Sequence, residues 1–496
     1  MFKRTFVIFL FLISPLFAQN LTDFEKKVTE FTLDNGLKFI VIERHEAPVV
    51  SFFTYANVGA VNENAGQTGI AHMFEHMAFK GTKNIGSKDI NKELDAMKKE
   101  DEAFLRLREE RDKGKQADPK KVDELQKEFA AATQAAEQWS NASEVDEVME
   151  RAGAVGINAN TTYDSTRYYY SLPSNKIELW FSLESDRFLD PVLRDFYTER
   201  GVVMEERRGS VDSNPTGRLV EEFTAASFKA HPYKEPVIGF MSDLQDLSRP
   251  DAEAFFHTYY GANNLTIAIA GDVNPQEVRK MAQTYFGRLP KIPEPPAVHT
   301  VEPEQPGEKR ITVEDRAQPF LVFGYHKGDI NDPDENTFDV LSDILGRGRA
   351  SRLYKKLVKE QKIAVNASGF PGFPEDKYPN LFVFFAVPTP GHTTEECEKS
   401  ILEEIDRLKT EPVSADELAK AKTRSRADVI RSLNSNSGLA QQLVEYQVLT
   451  GDWRNLFRDL DKINAVTAAD IQRVAQKYFV TKHRTVAVIH TIRAQS

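Results

Sequence analysis

Apolar and polar positions follow a similar order of periods in the two halves of this chain. The stretch EFTLDNGLKFIVIERHEAPVVSFFTYANVG (30–59) alternates on both sides of an Asn-Gly pair, which predicts a β-hairpin. In the second half, KRITVEDRAQPFLVFGYHKGD (309–329) also predicts strands. Helical periods follow in GIAHMFEHMAF (69–79) in the first half, and in NTFDVLSDILG (336–346) and SRLYKKLVKEQ (351–361) in the second. Both halves therefore predict strands followed by helices.

The ends of the two halves match more closely. SRPDAEAFFHTYYGANNLTIAIAGD (248–272) and VTAADIQRVAQKYFVTKHRTVAVIH (466–490) each predict a capped helix with an aromatic-rich end, followed by an alternating strand. Between the halves, residues 290–308 carry six prolines, which break both helices and strands. We therefore predict two homologous α+β domains at 26–289 and 309–496, each an antiparallel sheet packed with helices, joined by a Pro-rich linker.

Residues 95–148 interrupt the likeness between the halves. This stretch is dense in Lys, Glu, Ala and Gln, and KGKQADPKK (113–121) within it is typical of a turn. The pattern predicts a helical hairpin with solvated faces, inserted into the first domain. A plain solvated surface is the simplest interpretation, and an arm that binds a partner or gates a site is the alternative.

The length, the net charge and the N-terminal segment limit which classes of function the protein can have. A chain of 496 residues exceeds what one core supports, and its net charge of −11 is spread along the sequence, which argues against nucleic acid or an anionic membrane as a partner. Residues 1–18 combine a basic start, a short apolar run and a small residue, which predicts a cleaved signal peptide, a soluble mature chain and a periplasmic location; an uncleaved anchor is the alternative. The single cysteine, Cys397, excludes a disulfide within the chain and a thiolate metal cluster.

The helix predicted at 69–79 carries two histidines and a glutamate. His72 and His76 are four residues apart, so their imidazoles lie on one helical face with Glu75 beside them. A hydrolytic zinc site needs three protein ligands, an open position for water and a nearby carboxylate base. HMFEH supplies two ligands and the base. The alternative is an ordinary amphipathic helix, but burying these side chains among Met and Phe is costly unless they are paired or metal-bound.

The third ligand is expected in DFYTERGVVMEERRGS (195–210), which carries three glutamates. Glu199 and Glu206 are seven residues apart and share one helical face, while Glu205 points about 100° away from Glu206. The neighbouring valines allow that face to pack inward. The residues by themselves leave Glu199 and Glu206 both open as the ligand.

These motifs resemble the M16 metallopeptidases, the inverzincin family that includes pitrilysin and insulinase. The resemblance is carried by HMFEH followed by FKGT (79–82), ERGVVMEE (199–206), GINANTTYDSTRYYYSLP (156–173) and YYGANNLTIAIAGDV (259–273). It implies the M16 fold and an exported zinc-dependent endopeptidase or oligopeptidase with one Zn²⁺ per chain. Its substrates would be peptides or unfolded segments.

The resemblance also implies a role for particular residues. The implied set is the zinc ligands His72, His76 and Glu206, the general base Glu75, and Glu199 as an outer carboxylate that orients a histidine. The same resemblance implies that Asn158, Ala159 and Asn160 lie on an edge strand that binds the peptide by strand addition.

Two features depart from the family pattern. Glu206 lies 130 residues after His76, a longer gap than is usual in the family, and the charged insert accounts for the excess. Active members carry an Arg and a Tyr seven residues apart after an SRL-like helix, where this chain has Val358 and Val365. The resemblance then implies a chamber formed with a homologous M16 subunit that supplies the Arg/Tyr pair, as a heterodimer or alternatively a homodimer. A non-catalytic or partner-dependent subunit acting in binding or assembly is the alternative function.

Overall fold

Two β-sheets of related topology form the framework of the protein. The computed structural model describes residues 24–492, so the predicted signal peptide 1–18 lies outside the described residues. The sheets have the strand orders β1-β2-β6-β3-β5-β4 and β7-β11-β8-β10-β9. The strands are β1 Val28–Thr32, β2 Lys38–Glu43, β3 Val49–Ala56, β4 Val155–Thr161, β5 Thr166–Pro173, β6 Leu265–Gly271, β7 Lys309–Asp315, β8 Phe320–Lys327, β9 Ala364–Phe373, β10 Asn380–Pro388 and β11 Arg484–Thr491.

Strand pairing confirms the predicted duplication. In the order β2-β6-β3-β5-β4 the first pair is parallel and the rest antiparallel, and β7-β11-β8-β10-β9 repeats that pattern of directions. The additional strand β1 forms the predicted hairpin with β2, with Thr32 opposite Lys38, and Gly36 adopts a φ of 93° in the turn. The two-domain α+β prediction is confirmed, with one parallel pair added to each otherwise antiparallel sheet.

Helices cover these sheets and connect their strands. In the first half they are α1 Ile70–Met77, α2 Ile90–Asp112, α3 Pro119–Glu137, α4 Glu144–Arg151, α5 Ile177–Leu189, α6 Phe196–Arg207, α7 Pro215–Ser227, α8 Met241–Asp246, α9 Arg249–Tyr259 and α10 Pro275–Tyr285. In the second half they are α11 Glu335–Leu345, α12 Thr394–Thr410, α13 Ala415–Ser432, α14 Asn436–Thr450, α15 Asn455–Ala465 and α16 Ala468–Tyr478. Along residues 24–492, none of the helices combines the length and the apolar character needed to cross a membrane.

The stretch predicted as a helical insert contains α2, α3 and the short α4. Buried ion pairs fasten α2 to the domain behind it. Arg194 Nε donates to Glu93 Oε1 at 2.9 Å, and Arg249 pairs with Glu100 and, at 3.1 Å, with Asp101. Removing either partner of a buried ion pair leaves an uncompensated charge, so these contacts hold the insert in one position. The inner side of α2 is therefore anchored to the domain, while α3 remains mostly exposed.

The segment 290–308 contains neither helix nor strand, as its prolines predict. It is nevertheless held against the molecule. The carboxylate of Glu302 accepts the backbone N–H groups of Lys229, Ala230 and His231 at 2.7–2.9 Å. These three hydrogen bonds attach the segment to the surface of the protein.

The two halves exchange helices across their sheets. Helix α14 belongs to the second half, yet its Leu439 and Leu443 pack on Ile40 and Phe53 of the first sheet. In the opposite direction, Phe223 of α7 packs with residues of the second sheet. Each sheet therefore buries its second face only when both halves are present.

We expect Leu443→Ala to destabilise the whole protein by about 2–5 kcal/mol, because Leu443 is fully buried and the substitution leaves a cavity at the interface between the halves. Urea denaturation followed by tryptophan fluorescence measures the change. The control Leu94→Ala removes a leucine that is 37% exposed, and we expect a change within about 0.5 kcal/mol. Two separate unfolding transitions, of which only one moves in Leu443→Ala, would contradict the mutual dependence of the halves.

Candidate metal centre

Helix α1 presents its polar residues to a cleft and its apolar residues to the core. Met73, Phe74 and Met77 are fully buried, as the amphipathic pattern predicts. Gly69 caps the helix with a φ of 87°, where an added Cβ would stand 2.7 Å from the carbonyl oxygen of Ile238. Only glycine therefore fits this position.

Glu63 supplies the other half of the cap. Its carboxylate accepts the backbone N–H groups of Gly69 at 2.9 Å and Ala71 at 2.8 Å, which are among the unsatisfied donors at the start of α1. Burial raises the pKa of Glu63 to about 8, although both hydrogen bonds oppose the shift. The sequence carries no signal for this residue, because it lies outside the helix and outside the motif.

The structure brings His72, His76 and Glu206 together. One ligand atom from each of these residues lies within 4.8 Å of the other two. Oε2 of Glu206 is 3.8 Å from Nε2 of His72 and 3.7 Å from Nε2 of His76. Tetrahedral zinc with bonds of about 2.0–2.1 Å holds its ligand atoms roughly 3.4 Å apart, so this N, N, O set fits zinc after small side-chain movements.

The position of helix α6 distinguishes between Glu199 and Glu206, which the sequence pattern left open as the third ligand. Glu206 faces both histidines, whereas Glu199 lies two turns earlier and, of the two histidines, contacts His76 alone. Glu205 points away and pairs with Arg208 on the surface. Of the three glutamates, Glu206 alone therefore completes a set of three ligand atoms.

Glu199 orients His76. Its Oε1 lies 2.9 Å from Nδ1 of His76, and its Oε2 accepts a hydrogen bond from Nζ of Lys80 at 2.6 Å. The hydrogen bond from His76 lowers the pKa of Glu199 to about 2, and Lys80 adds to the shift. A carboxylate at Nδ1 fixes the tautomer of His76 that leaves Nε2 free to bind a metal.

The two histidines have different pKa shifts. Burial, followed by the charge of His76, lowers the pKa of His72 to about 4, so its imidazole is neutral near pH 7. Burial also acts to lower the pKa of His76, but the hydrogen bond and charge of Glu199 outweigh it and the pKa is raised. The Nδ1 atom of His72 is buried with no hydrogen-bond partner within residues 24–492.

Glu75 stands beside the three ligand atoms without joining them. Burial raises its pKa, while hydrogen bonding from Thr161 and the charge of His76 oppose the shift. A carboxylate with a raised pKa next to an open metal site has the properties of a general base. The sequence placed Glu75 correctly beside the histidines, but it gave no sign of Thr161.

The cleft in front of Glu75 and His76 has a volume of about 600 Å³. One wall is β4, an edge strand that pairs only with β5, and it contributes Asn158 and Ala159 to the lining. Asn160, which the resemblance also implied, is not among the lining residues. Three residues of the predicted insert, Ala142, Ser143 and Asp146, also line the cleft, and sequence reasoning missed them because the contact joins distant parts of the chain.

The positions of the missing Arg/Tyr pair lie in the second half. Val358 lies on the π-helix Tyr354–Glu360 and Val365 on β9, where it is 52% exposed. Arg352 does not compensate for the missing arginine, because its guanidinium forms two hydrogen bonds of 2.7 and 2.8 Å with the carboxylate of Glu417. Arg352 therefore has a structural role.

Comparison with known proteins gives the family. The model of the insulinase family, peptidase family M16, matches residues 38–110 and 131–240, and the model of the peptidase M16 inactive domain matches residues 246–425. This chain belongs to the M16 peptidase family. The unmatched residues 111–130 lie in the insert, so the M16 chain differs from the family model where its sequence departs from the family spacing.

Individual relatives agree with this assignment. The M16 chain is 28% identical over 460 residues to the zinc protease PqqE of Helicobacter pylori, covering 90% of this chain and 89% of the relative. The crystal structure of a protease from Helicobacter pylori superposes with a TM-score of 0.78 at 26% identity, covering 94% of this chain and 99% of that one. The periplasmic protease PqqL from Escherichia coli shares the fold at 16% identity, with a TM-score of 0.68; the match covers 94% of this chain and 48% of PqqL.

Proposed function

We propose that this chain is a zinc-dependent endopeptidase or oligopeptidase that hydrolyses peptides or unfolded segments. The observation that carries the proposal is the set of His72, His76 and Glu206 ligand atoms, next to an open cleft that Glu75 and His76 line. A structural zinc site closes with four protein ligands, whereas this set offers three and leaves access for water. The names of the relatives support the same chemistry.

Each residue of the centre has a definite task in this proposal. Zinc held by His72, His76 and Glu206 would supply Lewis-acid chemistry for the scissile carbonyl and for a water molecule. The carboxylate of Glu75 takes the proton of the attacking water and later delivers it to the leaving amine. Glu199 accepts a hydrogen bond from Nδ1 of His76, so that Nε2 of the neutral ring is the atom available to the metal, and Lys80 keeps Glu199 in place. The free edge of β4 holds the peptide by backbone hydrogen bonds, which suits many sequences.

Metal removal tests the proposal. We expect the purified chain to contain about one zinc ion and to cleave an internally quenched peptide. We also expect 1,10-phenanthroline to abolish cleavage, and one equivalent of zinc to restore it. Cleavage that persists in metal-free protein would contradict a zinc peptidase, and bound zinc without cleavage would favour the alternative of a binding or assembly subunit.

A partner subunit extends the proposal. Valines at positions 358 and 365, together with the engagement of Arg352 by Glu417, leave the centre without a free Arg/Tyr pair from the corresponding segment of its own chain. A homologous M16 chain would supply the pair in a heterodimer, with a homodimer as the alternative, and the two would enclose the peptide. Size-exclusion chromatography combined with the cleavage assay tests this, since full activity in a fraction of single chains contradicts it.

Export to the periplasm, which residues 1–18 predict, belongs to the same proposal.

A further inference from the structure

The wall that the insert contributes to the cleft is anchored to the first half. Val145 and Met149, on one face of α4, are buried in the core of the first half. At the first residue of the helix, Oε2 of Glu144 accepts the backbone N–H of Gly86 at 2.9 Å. Because α4 is fixed at both points, the residues on its neighbouring face keep a constant position relative to the metal centre.

Asp146 lies on that neighbouring face, where its side chain is exposed to solvent and lines the cleft. Within residues 24–492 it forms no ion pair and no side-chain hydrogen bond, and the same holds for Glu150 one turn later. Partial burial and the charge of Glu150 raise the pKa of Asp146, while Lys80 and Arg187 oppose the shift. These two cations are already engaged, Lys80 by Glu199 at 2.6 Å and Arg187 by Glu184 at 3.3 Å.

The rest of the wall is suited to an aliphatic stem. Phe79, Ile157 and Ala142 line the same cleft and give it apolar surface, while Lys80, which also lines it, is paired with Glu199. Long basic side chains bury their methylene groups along apolar surface and keep the charged head at a polar group. The cleft therefore offers apolar surface to the methylene groups and an unpaired carboxylate to the charged head. Both features suit the side chain of lysine or arginine.

We infer that Asp146 is a specificity-determining residue, which selects peptides with a lysine or arginine side chain in the part of the cleft between the metal centre and the insert. The inference rests on the proposed function, because it assumes that a peptide substrate passes through the cleft. The insert then has a function in substrate choice. An acidic residue at the same position of the peptide would meet Asp146, and the like charges would repel each other.

Binding to a hydrolysis-deficient form tests the inference separately from catalysis. In the Glu75→Gln background, we would measure the Kd of fluorescent eight-residue peptides that differ only by lysine or norleucine, with the varied position moved along the peptide. Norleucine keeps the aliphatic stem and lacks the ammonium group. We expect the lysine peptide to bind about fivefold more tightly at one position, and this preference to shrink at high salt.

Two substitutions of Asp146 and one control substitution on the same helix turn make the test specific. Asp146→Asn should remove the preference for lysine, and Asp146→Lys should reverse it in favour of a glutamate peptide. Glu147→Gln is the matched control, because Glu147 also lies in the first turn of α4 but is absent from the cleft lining, so the preference should persist. Equal binding of lysine and norleucine peptides at every position, no binding of either, or a preference that survives in Asp146→Asn would overturn the inference. Lack of hydrolysis in the wild-type chain would contradict the peptidase proposal and leave this result intact.

Discussion

Glu75→Gln should lower peptide hydrolysis by about 10²–10⁴-fold while zinc remains bound. Glutamine has the shape of glutamate but cannot take a proton from water, so the substitution removes the base and keeps the packing. Glu75 is not among the three grouped ligand atoms, and therefore zinc content should not change. Hydrolysis rates with an internally quenched peptide and metal analysis of the same protein give the two readouts.

Glu199→Gln provides the contrast to Glu75→Gln. The amide can no longer act as a charged acceptor for Nδ1 of His76, so zinc affinity should fall by about 10–100-fold. Activity should return largely at saturating zinc, which cannot rescue Glu75→Gln. Near-normal hydrolysis in Glu75→Gln would show that another group is the base and would contradict the mechanism.

Glu206→Gln should abolish both zinc binding and hydrolysis. Glu206 is the only anionic member of the set of three ligand atoms, and an uncharged amide is a much weaker zinc ligand than a carboxylate. We expect zinc affinity to fall by more than the roughly 10–100-fold loss typical of outer partners. Competition with a fluorescent zinc chelator measures the affinity.

Glu205→Gln is the neighbouring control for that experiment. Glu205 is exposed and pairs with Arg208 on the surface, so removing its charge should change neither zinc content nor hydrolysis measurably. Loss of zinc in Glu205→Gln together with retention in Glu206→Gln would show that α6 is rotated relative to the structure described. Equal zinc content in both variants would contradict the ligand set.

The sequence was most informative where the chemistry is local. His72, Glu75 and His76 lie within five residues, and the helical period alone places them together. The hairpin at Asn35 and Gly36 was likewise readable, because Asn-Gly is a strong turn signal and Gly36 supplies the positive φ of the turn. Matching strand and helix orders in the two halves also gave the duplicated α+β architecture, which the pairing of both sheets confirms.

The third ligand could not be identified from the pattern of residues alone. The spacing of Glu199 and Glu206 put both on one face of α6, and only their distances from the histidines separate an outer carboxylate from a metal-ligand candidate. The resemblance to M16 peptidases favoured the same assignment. The choice depends on how α6 lies against α1, and no period within either helix records that arrangement.

The sequence by itself determined the family, the two related domains and the helix that carries His72, Glu75 and His76, since these follow from motifs and periods of neighbouring residues. Tertiary structure alone decided that α7 and α14 cover each other's sheets and that the insert walls the cleft with Asp146. These contacts join residues far apart in the chain, and they form because each apolar face must be buried against whichever element the whole fold brings to it. A residue's own sequence neighbours do not specify that element.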